Sequence, residues 1–224
     1  ATTAALSPCA TRPWVPRPHH PHREDEPEWL GTGTVRDGVI RILELRGECE
    51  LFEVDLEQLI ASDHRVYLMI SKAAQVVIGM ETDLSLPGRT ADIQKALTKH
   101  YNAGADQLRV FGEDEWTAPV ASGSNDVSAM VVCPCSMGAL SAIAQGASNN
   151  LLERAADVML KERKKLVLVP RETPYSDIHL DNMLKLSRMD AVIVDANPGF
   201  YNRPETVDDL VDFVVAKILD QLGV

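Results

Sequence analysis

From Val66 onward the chain alternates short, continuously apolar runs with longer segments whose apolar positions recur every three or four residues. Val66–Ile70, Ala129–Cys133, Leu166–Val169 and Ala191–Val194 are the apolar runs, and Leu108–Phe111, interrupted by Arg109, reads as a further short strand. Their length and lack of polar alternation predict strands buried on both faces. Lys72–Met80, Ala91–Tyr101, Gly138–Gly146, Asn150–Lys164, Ile178–Ser187 and Glu205–Leu222 carry helical spacing. Upstream, Val39–Leu45 alternates as a strand, and Phe52–Ala61 sets Phe52, Leu56, Leu59 and Ile60 on one helix face. Ser71 stands where the next helix needs an N-cap, Pro87-Gly88 predicts a turn, and Ala118–Asp126, rich in Gly, Ser, Pro and Asn, predicts a loop. Strand and helix in alternation predict an α/β protein, a three-layer sandwich with a parallel sheet covered on both faces.

Residues 1–38 break this pattern. Six of the thirteen prolines precede Trp29. Proline removes backbone donors, so the segment is expected to be disordered or loosely packed, leaving a single α/β domain over 39–224. It has no continuous apolar core or small-residue cleavage site of a secretory signal. His19, His20 and His22 read as an exposed polar tract, because no cysteine or carboxylate lies at metal-ligand spacing from them.

A formal net charge of -11 argues against a nucleic-acid or anionic-membrane surface, both of which need clustered cations. A small phosphorylated ligand needs only local positive charge. No apolar run approaches the ~20 residues of a membrane span. The four cysteines form no disulfide framework: Cys133 and Cys135 read as buried thiols, and the expected compartment is the cytoplasm.

In open parallel sheets ligands bind beyond the carboxyl ends of the strands. That rule selects Ser71, Cys135-Ser136, Arg171-Glu172 and the run Asn197–Arg203. In Cys133-Pro134-Cys135-Ser136-Met137-Gly138 a strand end meets a helix start with small residues, so backbone amides and the Ser136 hydroxyl can approach a ligand. On the helix from Asn150, Arg154, Asp157 and Lys161 share one face, either as a solvated charged stripe or, with Lys161, as a phosphate holder. Arg171 beside Glu172 suits anion binding with proton transfer, or else an ion pair closing a loop. Tyr201 adds a phenol able to bond an anion. Asp208-Asp209-Leu210-Val211-Asp212 has the spacing of a magnesium-dependent diphosphate motif, but the acids open a helix, where carboxylates favour the positive end, and no metal is expected.

Several motifs together carry a resemblance. They are Ile70-Ser71-Lys72-Ala73-Ala74, Glu81-Thr82-Asp83, Ala121-Ser122-Gly123-Ser124, Cys133-Pro134-Cys135-Ser136, Leu152-Glu153-Arg154-Ala155-Ala156-Asp157-Val158, Leu160-Lys161-Glu162-Arg163, Pro170-Arg171-Glu172-Thr173-Pro174, His179-Leu180-Asp181-Asn182-Met183 and Pro198-Gly199-Phe200-Tyr201. In this order they resemble the UbiX-like flavin prenyltransferases. The resemblance implies a flavodoxin-like or Rossmann-like fold and a homo-dodecamer with sites between subunits. It also implies reduced FMN as cofactor and transfer of a dimethylallyl group from dimethylallyl phosphate to flavin N5, followed by ring closure at C6. The product, prenylated FMN, would serve a UbiD-type decarboxylase in ubiquinone biosynthesis or aromatic-acid decarboxylation. Carried over by motif, Ser71, Ser136 and Met137 would contact FMN, and Arg154 would lie against the flavin. Lys161, Arg171 and Tyr201 would hold the substrate phosphate, with Glu81 near the same pocket, and Ser122 would line the prenyl side. Glu172 would be the acid/base.

Two departures stand out. The family's Thr-Gly-Ala-Ser-Gly-Ala loop should fall near Leu45–Phe52, where this chain has Leu-Arg-Gly-Glu-Cys-Glu-Leu-Phe, with two acids in place of a phosphate cradle. Encoded as CGG-GGC-GAG-TGY, Arg46-Gly47-Glu48-Cys49 would read Gly-Ala-Ser one base later. Without that loop the alternative is an FMN-binding homologue lacking transferase activity. Lys217 stands where the family offers an arginine to a neighbouring subunit's phosphate, keeping the charge but not the bidentate fork.

Overall fold

The computed structural model describes residues 39–43, 56–81 and 86–224, with backbone alone for 39–43 and for Glu81. Their order is β1 (Val39–Leu43), α1 (described over 56–61), β2 (Val66–Ile70), α2 (Lys72–Glu81), α3 (Thr90–His100), β3 (Leu108–Phe111), β4 (Ala129–Cys135), α4 (Met137–Gln145), α5 (Leu151–Lys161), β5 (Lys165–Pro170), α6 (Asp177–Ser187), β6 (Val192–Ile193) and α7 (Val207–Leu222). The histidine tract, Cys9, Cys49 and the stretch Leu45–Phe52 lie outside the described residues.

Six strands pair in the order β3-β2-β1-β4-β5-β6, every pair parallel. This is the doubly wound order, with its crevice between β1 and β4, where the chain crosses back from β3 to the middle of the sheet. Tyr67, Met69, Met130, Val132, Leu166 and Leu168 face one layer, packed under α4, α5 and α6. Val66, Leu68 and Ile70 face the other layer, with α1, α2 and α3, while Val131, Cys133, Val167 and Val169 meet α7 there. Burial on both faces is why these strands read as unbroken apolar runs.

The departures from the sequence reading have local causes. β4 runs two residues past Cys133 because Pro134 sits in a bulge: Val132 pairs with Leu168 and Cys135 with Pro170, so β4 spends an extra residue. The bulge turns Cys135 to the α4/α5 layer while Cys133 faces α7, and both thiols are buried and outside any disulfide. α5 stops at Lys161 rather than Lys164 because Arg163 adopts a left-handed φ of 53°, and the amide of Lys164 closes back on the Met159 carbonyl at 2.9 Å. The predicted loop 118–126 contains a 3-10 turn at Pro119–Ala121, and β6 shrinks to two residues at the sheet edge.

Candidate active site

All strands being parallel, the four predicted loops leave from one edge of the sheet. After β2, the Ser71 hydroxyl accepts the Ala74 amide at 3.0 Å and caps α2. After β4, the Ser136 hydroxyl accepts the Ala139 amide at 3.1 Å and caps α4, leaving the first amides of that helix without partners inside it. After β5 come Arg171 and Glu172, and Glu172 Oε1 accepts the Thr173 amide at 3.2 Å. Ser136, Met137, Gly138, Arg171 and Glu172 border one cavity of about 470 Å³. Gly138 also borders a second cavity of about 150 Å³, shared with Ser71, Glu113, Asn150 and Glu153. The two cavities run along the carboxyl edge, and the N-terminal ends of α2, α4 and α5 meet there. The open amides at the start of α4 and the positive helix ends suit an anionic, phosphate-bearing cofactor, so the residues present fit FMN. The loop after β1, which would form the other wall of the crevice, lies outside the described residues.

Asn150 caps α5, accepting the Glu153 amide at 2.8 Å, and the buried Glu153 carboxylate accepts Asn149 N at 2.7 Å and Asn150 Nδ2 at 3.2 Å. One turn on, Arg154 Nη1 meets Asp157 Oδ2 at 2.7 Å, while its Nε donates to the Ala121 carbonyl at 3.1 Å. The guanidinium is therefore locked to the 3-10 turn rather than splayed in solvent. Lys161 pairs with Glu162, not with the Arg154 stripe, and this contact holds the Glu162 carboxyl below the ordinary range. Gly123 makes room for the pair: a Cβ there would stand 2.7 Å from Lys161 Nζ. Ser122 bonds Ser124 through their hydroxyls at 2.8 Å.

α5 runs back from the carboxyl edge to the start of β5, a length of ~16 Å at ~1.5 Å per residue. Lys161 and Ser122 thus sit toward the amino edge of the sheet, at the far end of α5 from Glu172. Tyr201 and Lys217 form a third cluster, bordering a cavity of about 730 Å³ beside the start of α7. The Tyr201 ring packs edge-on to the Phe213 ring at 5.8 Å, Tyr201 is 74% exposed, and Lys217 Nζ stands 5.9 Å from the centroid of the Phe213 ring. Glu81 ends α2, its side chain outside the described set. Asp209 of the acidic motif accepts the amides of Glu205 at 2.8 Å and Thr206 at 2.9 Å, completing the capping box that starts α7.

Sequence reasoning did not single out Glu113, Asn150, Glu153, Tyr175 or Asp195. Asn150-x-x-Glu153 has capping-box spacing and was findable. Glu113 was not: its role comes from its carbonyl accepting Leu151 N at 2.8 Å, across the sheet edge.

The strand order and the amide-lined edge define a cofactor-binding α/β protein of the flavodoxin-like class. The family model described as Flavoprotein matches residues 51–219, beginning as the Leu45–Phe52 stretch ends. A flavin prenyltransferase UbiX of Pseudomonas aeruginosa is 59% identical over 169 residues, covering 75% of this chain and 81% of that protein. AnUbiX, solved in complex with FMN and dimethylallyl pyrophosphate, superposes with a TM-score of 0.73 at 37% identity, over 85% of this chain and 94% of that one. A dodecameric FMN-dependent UbiX-like decarboxylase from Escherichia coli O157:H7 gives 0.73 at 40% identity, over 84% and 95%. The chain belongs to the UbiX-type flavin prenyltransferases of the Flavoprotein family.

Proposed function

We propose that the protein is a transferase that moves a dimethylallyl group from dimethylallyl phosphate to reduced FMN, releasing prenylated FMN for a UbiD-type decarboxylase. The observation that carries the reading is that Arg171 and Glu172 open onto the same cavity as the capped start of α4. Reduced FMN supplies the nucleophilic positions N5 and C6. Ser71, Ser136, Met137 and the N-terminal amides of α4 bind it, and Arg154, held rigid by Asp157 and Ala121, lies against it. Arg171 holds the substrate phosphate by a charge-assisted bond. Glu172 carries a proton to the departing phosphate oxygen and later takes one back. Ser122, beside Lys161 in its own protomer, lines the prenyl side of a neighbouring copy's site, and Glu81 acts near the phosphate.

Lys161, Tyr201 and Lys217 belong to the same phosphate clamp, contributed from neighbouring copies. Two findings support this assembly: these residues sit in clusters apart from Glu172, and Ile178, Leu180, Phe200 and Tyr201 expose large apolar or aromatic surface. A homo-dodecamer, as in the Escherichia coli relative, brings the clusters together. The buried, reduced thiols of Cys133 and Cys135 suit the cytoplasm. Among the described residues no helix is long and apolar enough to cross a membrane.

An FMN-binding homologue without transferase activity is the less favoured reading, because the curated relatives at 42–59% identity carry the flavin prenyltransferase name. The test is anaerobic incubation of the purified protein with reduced FMN and dimethylallyl phosphate, read by mass spectrometry. A flavin heavier by one prenyl group is expected; bound FMN with no gain in mass establishes the inactive homologue instead.

A further inference from the structure

We propose that Tyr175 and Asp195 are positioning residues for Glu172: the hydrogen bond between them closes the loop after β5 onto the loop after β6 and fixes the carboxylate in its cavity. This rests on the acid/base reading of Glu172 and names what aims it.

The two loops leave the sheet side by side. Val194 N donates to Leu168 O at 2.9 Å and Ala196 N to Pro170 O at 3.1 Å, so β5–β6 pairing continues past the short strand and places Asp195 against the chain leaving β5. Asp195 is held by a tight turn, its carbonyl accepting Asn197 N at 2.7 Å. Across the gap, the Tyr175 hydroxyl donates to Asp195 Oδ1 at 2.6 Å. Pro170, Tyr175, Asp195 and Ala196 thereby close a ring, and Arg171 and Glu172 lie on its short arc. The far side of Tyr175 is pinned as well: its ring meets His179 edge-on at 6.4 Å, and His179 completes the capping box of α6 with Ser176. Glu172 itself takes a local bond from the next amide, so the position of its carboxylate follows that of the loop.

The chemistry of the pair suits the neighbourhood of an acid/base. Burial, the bond to Asp195 and the nearby charges of Asp195 and Glu172 hold the Tyr175 phenol protonated, above the ordinary tyrosine range. A phenol that stays neutral binds Asp195 firmly without placing a second titrating proton beside Glu172. A plain loop closure needs no such partner, since the α6 capping box already fixes the start of the helix.

The test uses the full-length protein, scoring prenylated-FMN formation, bound FMN and melting temperature. Tyr175→Phe keeps the ring against His179 and loses the hydroxyl; Asp195→Ala loses the acceptor. Each is expected to lower kcat about tenfold, with KM for dimethylallyl phosphate and FMN content within about twofold of wild type. Asp195→Asn, whose amide oxygen still accepts, is expected to restore kcat to within about threefold of wild type, and the double variant to be no slower than either single one. Wild-type kcat in Tyr175→Phe and Asp195→Ala, with Glu172→Gln slow, overturns the clamp alone. Losses of FMN or melting temperature that match the loss of kcat also overturn it, assigning the bond to stability. Wild-type turnover in Glu172→Gln overturns the acid/base reading and the clamp's purpose with it.

Discussion

Arg154 and Asp157, one turn apart on α5, form an ion pair at 2.7 Å whose guanidinium is also bonded to the Ala121 carbonyl. Both side chains are 34% exposed, so the pair itself contributes little to stability, ~0.2–1 kcal/mol. Its effect is geometric: Asp157 sets the plane of Arg154. Asp157→Ala should lower the melting temperature by no more than ~4 °C. It should reduce bound FMN, measured as the flavin-to-protein absorbance ratio, several times more than a surface control such as Asp106→Ala.

Ser136 has two separable duties. Ser136→Ala removes the cap on α4 and should cost ~1 kcal/mol, about 2–4 °C in melting temperature. Ser136→Asp keeps a capping oxygen but adds negative charge at the cavity, so melting temperature should hold while FMN binding falls. Equal FMN affinity in the two variants, by fluorescence titration, would show that Ser136 serves the helix alone.

Lys161 and Glu172 lie toward opposite ends of the protomer, so sites built between copies should show complementation. Lys161→Ala and Glu172→Gln are each expected to be nearly inactive. Mixed oligomers of the two should recover up to about a quarter of wild-type activity, because random mixing restores some intact sites. No recovery after verified subunit mixing would place Lys161 and Glu172 in the same protomer's site, or Lys161 outside it.

The Asp209 carboxyl is held below the ordinary range by the amides of Glu205 and Thr206 and by the Thr206 hydroxyl. A depressed carboxyl stabilises the folded form above its unfolded value, ~4, and loses that contribution as pH falls through the lower folded value. Amides at the start of α7 should therefore exchange faster, after correction for intrinsic rates, as pH drops from ~4 toward ~2. Asp209→Asn should abolish that pH dependence; an unchanged profile in the variant would assign it to another group.

Much of the fold was legible because the deciding forces are local. Val66–Ile70 and Leu166–Val169 declare themselves strands by being apolar on both faces, and Ser71 and Ser136 declare the helix starts that follow. The parallel arrangement made Ser71, Ser136, Arg171 and Glu172 neighbours in expectation; in the structure Ser136, Arg171 and Glu172 border one cavity and Ser71 a second, with Gly138 common to both. Helix ends were less legible. Nothing in Lys161-Glu162-Arg163-Lys164-Lys165 marks a stop, and α5 ends where a left-handed Arg163 turns the chain into β5. The stripe of Arg154, Asp157 and Lys161 also divided: Lys161 took its neighbour Glu162, and Arg154 took a backbone carbonyl from a loop more than thirty residues away.

By itself the sequence determined the α/β class, the strands and helices and the chemistry available at each strand end, because periodicity, caps and side-chain types are properties of short segments. Only the tertiary structure decided which of those ends meet. Residues two apart on a regular strand share a face, yet Cys133 and Cys135 do not, because β4 bulges to keep pairing with β5. Tyr175 and Asp195 carry no mutual signal, being twenty residues apart in separate loops, and they meet because β5 and β6 pair in one register. Register and bulges are set by packing across the whole sheet, and no short segment contains that information.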